Sequence, residues 1–151
     1  MIKARQCLIV LLGFFMAGAL AAVASAEERE VVRYVSEIEL ETEADLGELL
    51  GRAENLFTAG ELPQEEGAAL TLVLHGPVLR SLMRENYAGS KPVVDQAASL
   101  SALGVVQFKA CRSWMGSNGV DEESLQPFVT TVSYGPGEVQ RLVREQGYIY
   151  F

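Results

Sequence analysis

Apolar and polar positions change period several times along this chain, and each change marks an element. Val31, Val32, Tyr34, Val35 and Ile38 predict an opening strand. Thr42-Glu43-Ala44-Asp45 then matches a capping box, with Thr42 as N-cap and Asp45 reaching back to it. Behind it Leu46, Leu49, Leu50, Ala53, Leu56 and Phe57 recur at helical spacing, and Gly60 offers a stop. Ala68 to Leu74 is apolar without alternation, as expected of a strand buried on both faces. After His75-Gly76-Pro77, the positions Leu79, Leu82 and Met83 suggest a short helix ending between Asn86 and Gly89.

Ser90-Lys91-Pro92 places a proline at the start of the next helix, whose buried stripe is Val93, Ala97, Leu100 and Leu103, with Gly104 closing it. Val105 to Ala110 reads as a strand with Cys111 at its carboxyl end. The tail repeats the pattern. A helical turn over 120–125 and a strand over 128–132 precede a helix over 137–146 with Val139, Leu142 and Val143 inward. Gly147 is its stop, and Tyr148 to Phe151 form a last strand. Strands alternating with helices imply a three-layer α/β/α arrangement around a mostly parallel sheet of about five strands.

The first 26 residues read differently. Lys3 and Arg5 precede an uncharged run from Leu8 to Val23, and Ala24-Ser25-Ala26 supplies the small residues of a signal-peptidase site. The run is short for a membrane span of about 20 apolar residues, with no basic stop-transfer cluster behind it. The expectation is export to the periplasm, cleavage after Ala26, and one α/β domain over 27–151 with no stable membrane association; an uncleaved anchor is the alternative. The expected mature chain has ten basic and twenty acidic residues. Residues 27–66 hold thirteen acids against three bases, whereas 67–151 hold seven of each. An acidic N-terminal third repels nucleic acid and anionic lipid, and its plainest role is a solvated face.

Cys7 leaves with the expected signal, so Cys111 is the only cysteine of the mature chain and has no internal disulfide partner. It is either a small buried hydrophobe or a working thiol. Position favours work: ligands gather beyond the carboxyl ends of strands in open α/β sheets. Lys109 and Arg112 flank the cysteine, and positive charge or a nearby helix N-terminus favours thiolate. Lys109 shares its side of the sheet only if the strand runs regularly to Cys111. His75, the only histidine, ends another strand and is a candidate to protonate a leaving sulfur or simply to fix the turn before Gly76. Trp114 and Met115 suit ordinary packing or a subunit contact first and the wall of an apolar pocket second, and Tyr134-Gly135-Pro136-Gly137 is a candidate to place a helix N-terminus near an anion or to make a plain turn. No Gly-rich phosphate loop, Cys-x-x-Cys or Gly-x-Ser-x-Gly occurs. Cys111 and His75 are too few for a zinc site, and no cofactor is expected.

From Leu70 to Phe151 the chain resembles the DsrE/DsrF-like sulfur-relay proteins, including the YchN-like members. The resemblance rests on Leu72-Val73-Leu74-His75-Gly76-Pro77, on Leu103-Gly104-Val105 leading to Ala110-Cys111, on residues 119–129, and on Gln146-Gly147-Tyr148-Ile149-Tyr150. It implies a five-stranded parallel sheet, a trimeric or hexameric homo-oligomer, and a cysteine at position 111 that accepts sulfur as a persulfide and passes it on. Three readings follow. Cys111 carries sulfur as a persulfide or mixed disulfide, exchanging with a donor or acceptor protein or a small thiol. Alternatively the protein is a non-catalytic scaffold with Cys111 buried at an interface, or a thiol enzyme with His75 as acid and base.

Overall fold

The computed structural model describes residues 31–65 and 67–151. The expected signal segment, with Cys7, lies outside the described residues. Within them the order is β1 (Tyr34–Glu39), α1 (Glu43–Thr58), β2 (Leu70–His75), α2 (Tyr87–Ala102), β3 (Val106–Cys111), α3 (Arg112–Asn118), β4 (Val129–Val132), α4 (Gly135–Gln146) and β5 (Ile149–Tyr150). The strands form one five-stranded sheet in the order β4-β3-β2-β1-β5, and every pairing is parallel. Helices pack around it as the outer layers of a three-layer α/β/α fold. Among the described residues no helix is long and apolar enough to cross a membrane.

The strand order explains where the helices go. The chain steps outward from β1 to β2 to β3, and right-handed crossovers moving one way lay their helices on one face. Leu46, Leu50 and Ala53 of α1 and Val93, Val94, Ala97 and Leu100 of α2 accordingly share one core with Leu70, Leu72 and Leu74 of β2 and Phe108 and Ala110 of β3. The return from β4 past the first strands to β5 runs the other way, and α4 covers the opposite face over β1 and β2. That second core is small: Val35, Val73, Val139 and Leu142. Alternate side chains point to opposite faces of a strand, so Val73 and His75, Lys109 and Cys111, and Val35, Glu37 and Glu39 belong to the α4 side.

Local chemistry sets the boundaries. The Thr42 hydroxyl accepts from the Asp45 amide at 3.2 Å while Asp45 Oδ2 accepts from the Thr42 amide at 3.2 Å, completing the capping box. The short helix expected after Pro77 is a 3-10 segment, Pro77–Leu82. It is cut off because Met83 turns extended and bridges Leu125, while Leu82 O accepts from the Gln126 amide. Leu79, Leu82 and Met83 are buried there nonetheless. α2 begins at Tyr87, earlier than expected, and kinks at Ser90 (φ −104°, ψ 16°), just before Pro92. The expected start is therefore the kink: proline cannot donate to the preceding turn, and Ser90 absorbs the break. Leu103 departs from its expected place in the buried stripe and is 66% exposed, because the helix has ended and Leu103 is its C-cap.

Candidate functional site

β3 runs without a break to Cys111, so Lys109 and Cys111 do share the α4 side. The cysteine is the last residue of the strand and the cap of α3, and it is 5% exposed. Its neighbour across the parallel ladder is Val132. The chain leaving β4 therefore passes directly over the sulfur, and the Gly135 amide donates to Cys111 Sγ at 3.2 Å. Gly135 is the first residue of α4, so the sulfur takes one of the N–H groups that a helix leaves without an internal partner. The amide donor comes from α4, not from α3, the helix that follows Cys111 in sequence.

Gly135 packs closely against the sheet. A β-carbon there would stand 3.3 Å from Val73 Cγ1, 3.5 Å from Glu37 Oε1 and 3.6 Å from Cys111 Cβ. Pro136 suits the position after it, since the first turn needs no amide from that residue. The Tyr134-Gly135-Pro136 segment is thus the roof of the site.

His75 closes β2. Its Nε2 lies 3.5 Å from Glu37 Oε1 and its Nδ1 3.9 Å from Glu39 Oε2. Gly76 follows with φ +96°, and a β-carbon there would meet Leu40 O at 3.1 Å, so the turn admits no side chain. Glu37, His75, Cys111, Ser113, Trp114, Tyr134 and Pro136 line one open cleft of about 310 Å³. Of the residues singled out in the sequence, Cys111, His75, Trp114 and Tyr134 meet in that cleft, whereas Gly76 does not line it.

The two basic neighbours are engaged outside it. Lys109 Nζ donates to Glu138 Oε1 at 2.6 Å, and both side chains are 13% exposed. Glu138 also accepts from Arg141 Nε at 2.9 Å and Nη2 at 2.8 Å. The Arg141 guanidinium lowers the Glu138 carboxyl most, burial raises it partly back, and Lys109 lowers it further, leaving it at about 2. Arg112 Nη2 donates to Ser133 Oγ at 2.7 Å. Neither cation lines the cleft. Glu37 does, and it was not singled out in the sequence; its place follows from the register that sets Glu37 beside Val73 and Glu39 beside His75. Larger grooves exist, one of about 430 Å³ lined in part by Glu41, Arg80 and Glu85, but Cys111 is in none of them. Among the described residues no group of three or more His, Cys, Asp or Glu is placed to hold a metal ion.

The fold is that of a parallel, five-stranded α/β/α protein with a thiol at the carboxyl edge of its sheet. A protein of unknown function from Methanobacterium thermoautotrophicum shares this architecture, with a TM-score of 0.61, 25% sequence identity, and alignment over 80% of this chain and 97% of the other. No protein-family model and no curated protein sequence matches the chain.

Proposed function

We propose that this protein handles sulfur through Cys111, carrying it as a persulfide or mixed disulfide. The observation that supports this most is the directed contact at the sulfur: a free cysteine at a strand end, opening on a cleft and receiving an unpaired helix amide. Sulfur exchange requires a reachable thiolate and a way to accommodate the leaving thiol, not an extended catalytic array. The Gly135 amide gives the sulfur a fixed hydrogen-bond donor, and His75 in the same cleft supplies an imidazole for proton transfer. The chain acts in this reading as a carrier more than as a turnover enzyme, exported to the periplasm and assembled as a homo-oligomer of three or six copies, with a small thiol or a protein cysteine as exchange partner.

Intact-mass analysis after incubation with polysulfide tests it. The protein should gain increments of about 32 Da, the mass of sulfur, and Cys111→Ser should lose them. No increment with several donors would defeat the carrier reading.

One observation favours a second reading. Cys111 is nearly covered, as expected of a thiol that only packs in a scaffold protein. That reading requires alkylating reagents to reach Cys111 only after denaturation, and Cys111→Ala to assemble as the parent does.

A further inference from the structure

The cleft beside Cys111 has a sign of charge opposite to the one its sequence neighbours suggest. Lys109 is bound by Glu138, and Arg112 turns to Ser133. The charged or titratable groups that line the cleft are Glu37 and His75, and Glu39 Oε2 lies 3.9 Å from His75 Nδ1. Glu37 is the one carboxylate among the cleft's lining residues and neither Lys109 nor Arg112 is among them, so the lining carries negative charge while His75 is neutral. Glu37 and Cys111 also both approach the same glycine: the β-carbon position of Gly135 is 3.5 Å from the Glu37 carboxylate and 3.6 Å from Cys111 Cβ. A compound whose sulfur meets Cys111 therefore places a group two carbons away within reach of Glu37. The remaining walls, Trp114, Tyr134 and Pro136, offer ring surface to an uncharged stem.

Resting on the reading of Cys111 as a working thiol, we propose that Glu37 selects the sulfur compound by charge. The site takes small aminothiol persulfides or disulfides, with an ammonium near the sulfur, and turns away anionic sulfur compounds. With a persulfide, the Cys111 thiolate attacks the terminal sulfur. The new bond joins that sulfur to Cys111, the old S–S bond breaks, and the carrier leaves as thiolate, taking a proton from solvent or His75. With a disulfide, the same attack leaves half of the molecule on Cys111. Oxidation of Cys111 is then matched by reduction of the released half.

Three symmetric disulfides serve as probes: cystamine (cationic), bis(2-hydroxyethyl) disulfide (neutral) and 3,3′-dithiodipropionate (anionic). Rates of mixed-disulfide formation on the full protein are read by intact mass and divided by those of a small free thiol with the same probe. The cationic probe should exceed the anionic one by on the order of tenfold, as expected for unit charges a few ångströms apart in a cleft open to water. Glu37→Gln should bring that ratio to within about twofold, and Glu37→Lys should reverse it. Glu122→Gln, an exposed carboxylate outside the cleft lining, should leave it in place, which separates Glu37 from the general field of an acidic protein. Equal normalised rates for the three probes in the parent protein would overturn charge selection while leaving Cys111 a working thiol. Failure of all three, with rapid reaction after denaturation, would overturn the reading of Cys111 itself.

Discussion

Two glycines in helical segments show how differently one residue type can be used. Gly47 lies inside α1, and a β-carbon there would meet nothing within 4 Å. Gly135 opens α4 against Val73, Glu37 and Cys111, with a 3.3 Å contact awaiting any β-carbon. Alanine should therefore have opposite effects. Gly47→Ala should raise stability by roughly 0.5–1 kcal/mol, since it removes backbone freedom at no steric cost. Gly135→Ala should lower it by about 1 kcal/mol, since the new β-carbon presses on Val73, a member of the second core. Urea midpoints of the two variants decide this, and a gain for both would contradict the packing at Gly135. Cys111, His75, Trp114 and Tyr134 were legible in the sequence because strand ends in parallel sheets are where sites form. Glu37 was not. It sits inside a strand in an acid-rich segment, where solvation is the plainest explanation of a carboxylate, and only the parallel register brings it to His75 and the roof glycine.

Elements with a self-contained signal were legible to within a residue or two, and those shaped by distant partners were not. The α1 start is local: the two halves of its capping box lie three residues apart, and the structure makes both bonds. Thr42→Ala should cost about 1 kcal/mol, seen as a lower urea midpoint with an unchanged slope. Thr42→Ser should recover most of that loss, because it restores the hydroxyl acceptor. A Thr42→Ala variant as stable as the parent would mean that α1 is held by packing of Leu46, Leu50 and Ala53 alone. The segment after Pro77 is the opposite case. Its apolar spacing suits a helix, but pairing of Met83 with Leu125 across forty-odd residues of chain ends it early. Leu103 fits a helical stripe that has already terminated, so periodicity alone could not place it at the surface.

At the scale of the whole molecule, alternation of strand and helix specifies the three layers, but not how unequal they are. The face under α1 and α2 holds the main core, whereas α4 rests on a much smaller cluster. Polar contacts make up part of the difference: Lys109 on β3 reaches Glu138 on α4, which Arg141 holds from the next turn. This tie depends on pH in a definite direction. Glu138 has a folded value of about 2 against an ordinary 4.5. Above 4.5 the carboxylate is charged in both states, and its stabilisation is fully present. As pH falls from 4.5 to about 2 the unfolded chain takes up a proton that the folded chain still refuses, and the contribution shrinks; below about 2 it is gone. Other carboxylates titrate over the same range, so the informative quantity is the difference from Glu138→Gln, which has no proton to take up. Unfolding free energy from urea titrations at successive pH values should fall more steeply in the parent than in the variant across that window. Above it the variant should be the less stable of the two, because Lys109 and Arg141 lose their counter-charge. Hydrogen exchange locates the effect: near pH 2, α4 amides should lose protection before those of β2 and β3, because α4 is the layer with the least apolar cover. Parallel pH slopes for parent and variant would mean that the second layer stands on its apolar contacts alone. In that case the roof over Cys111 would be held without help from charge.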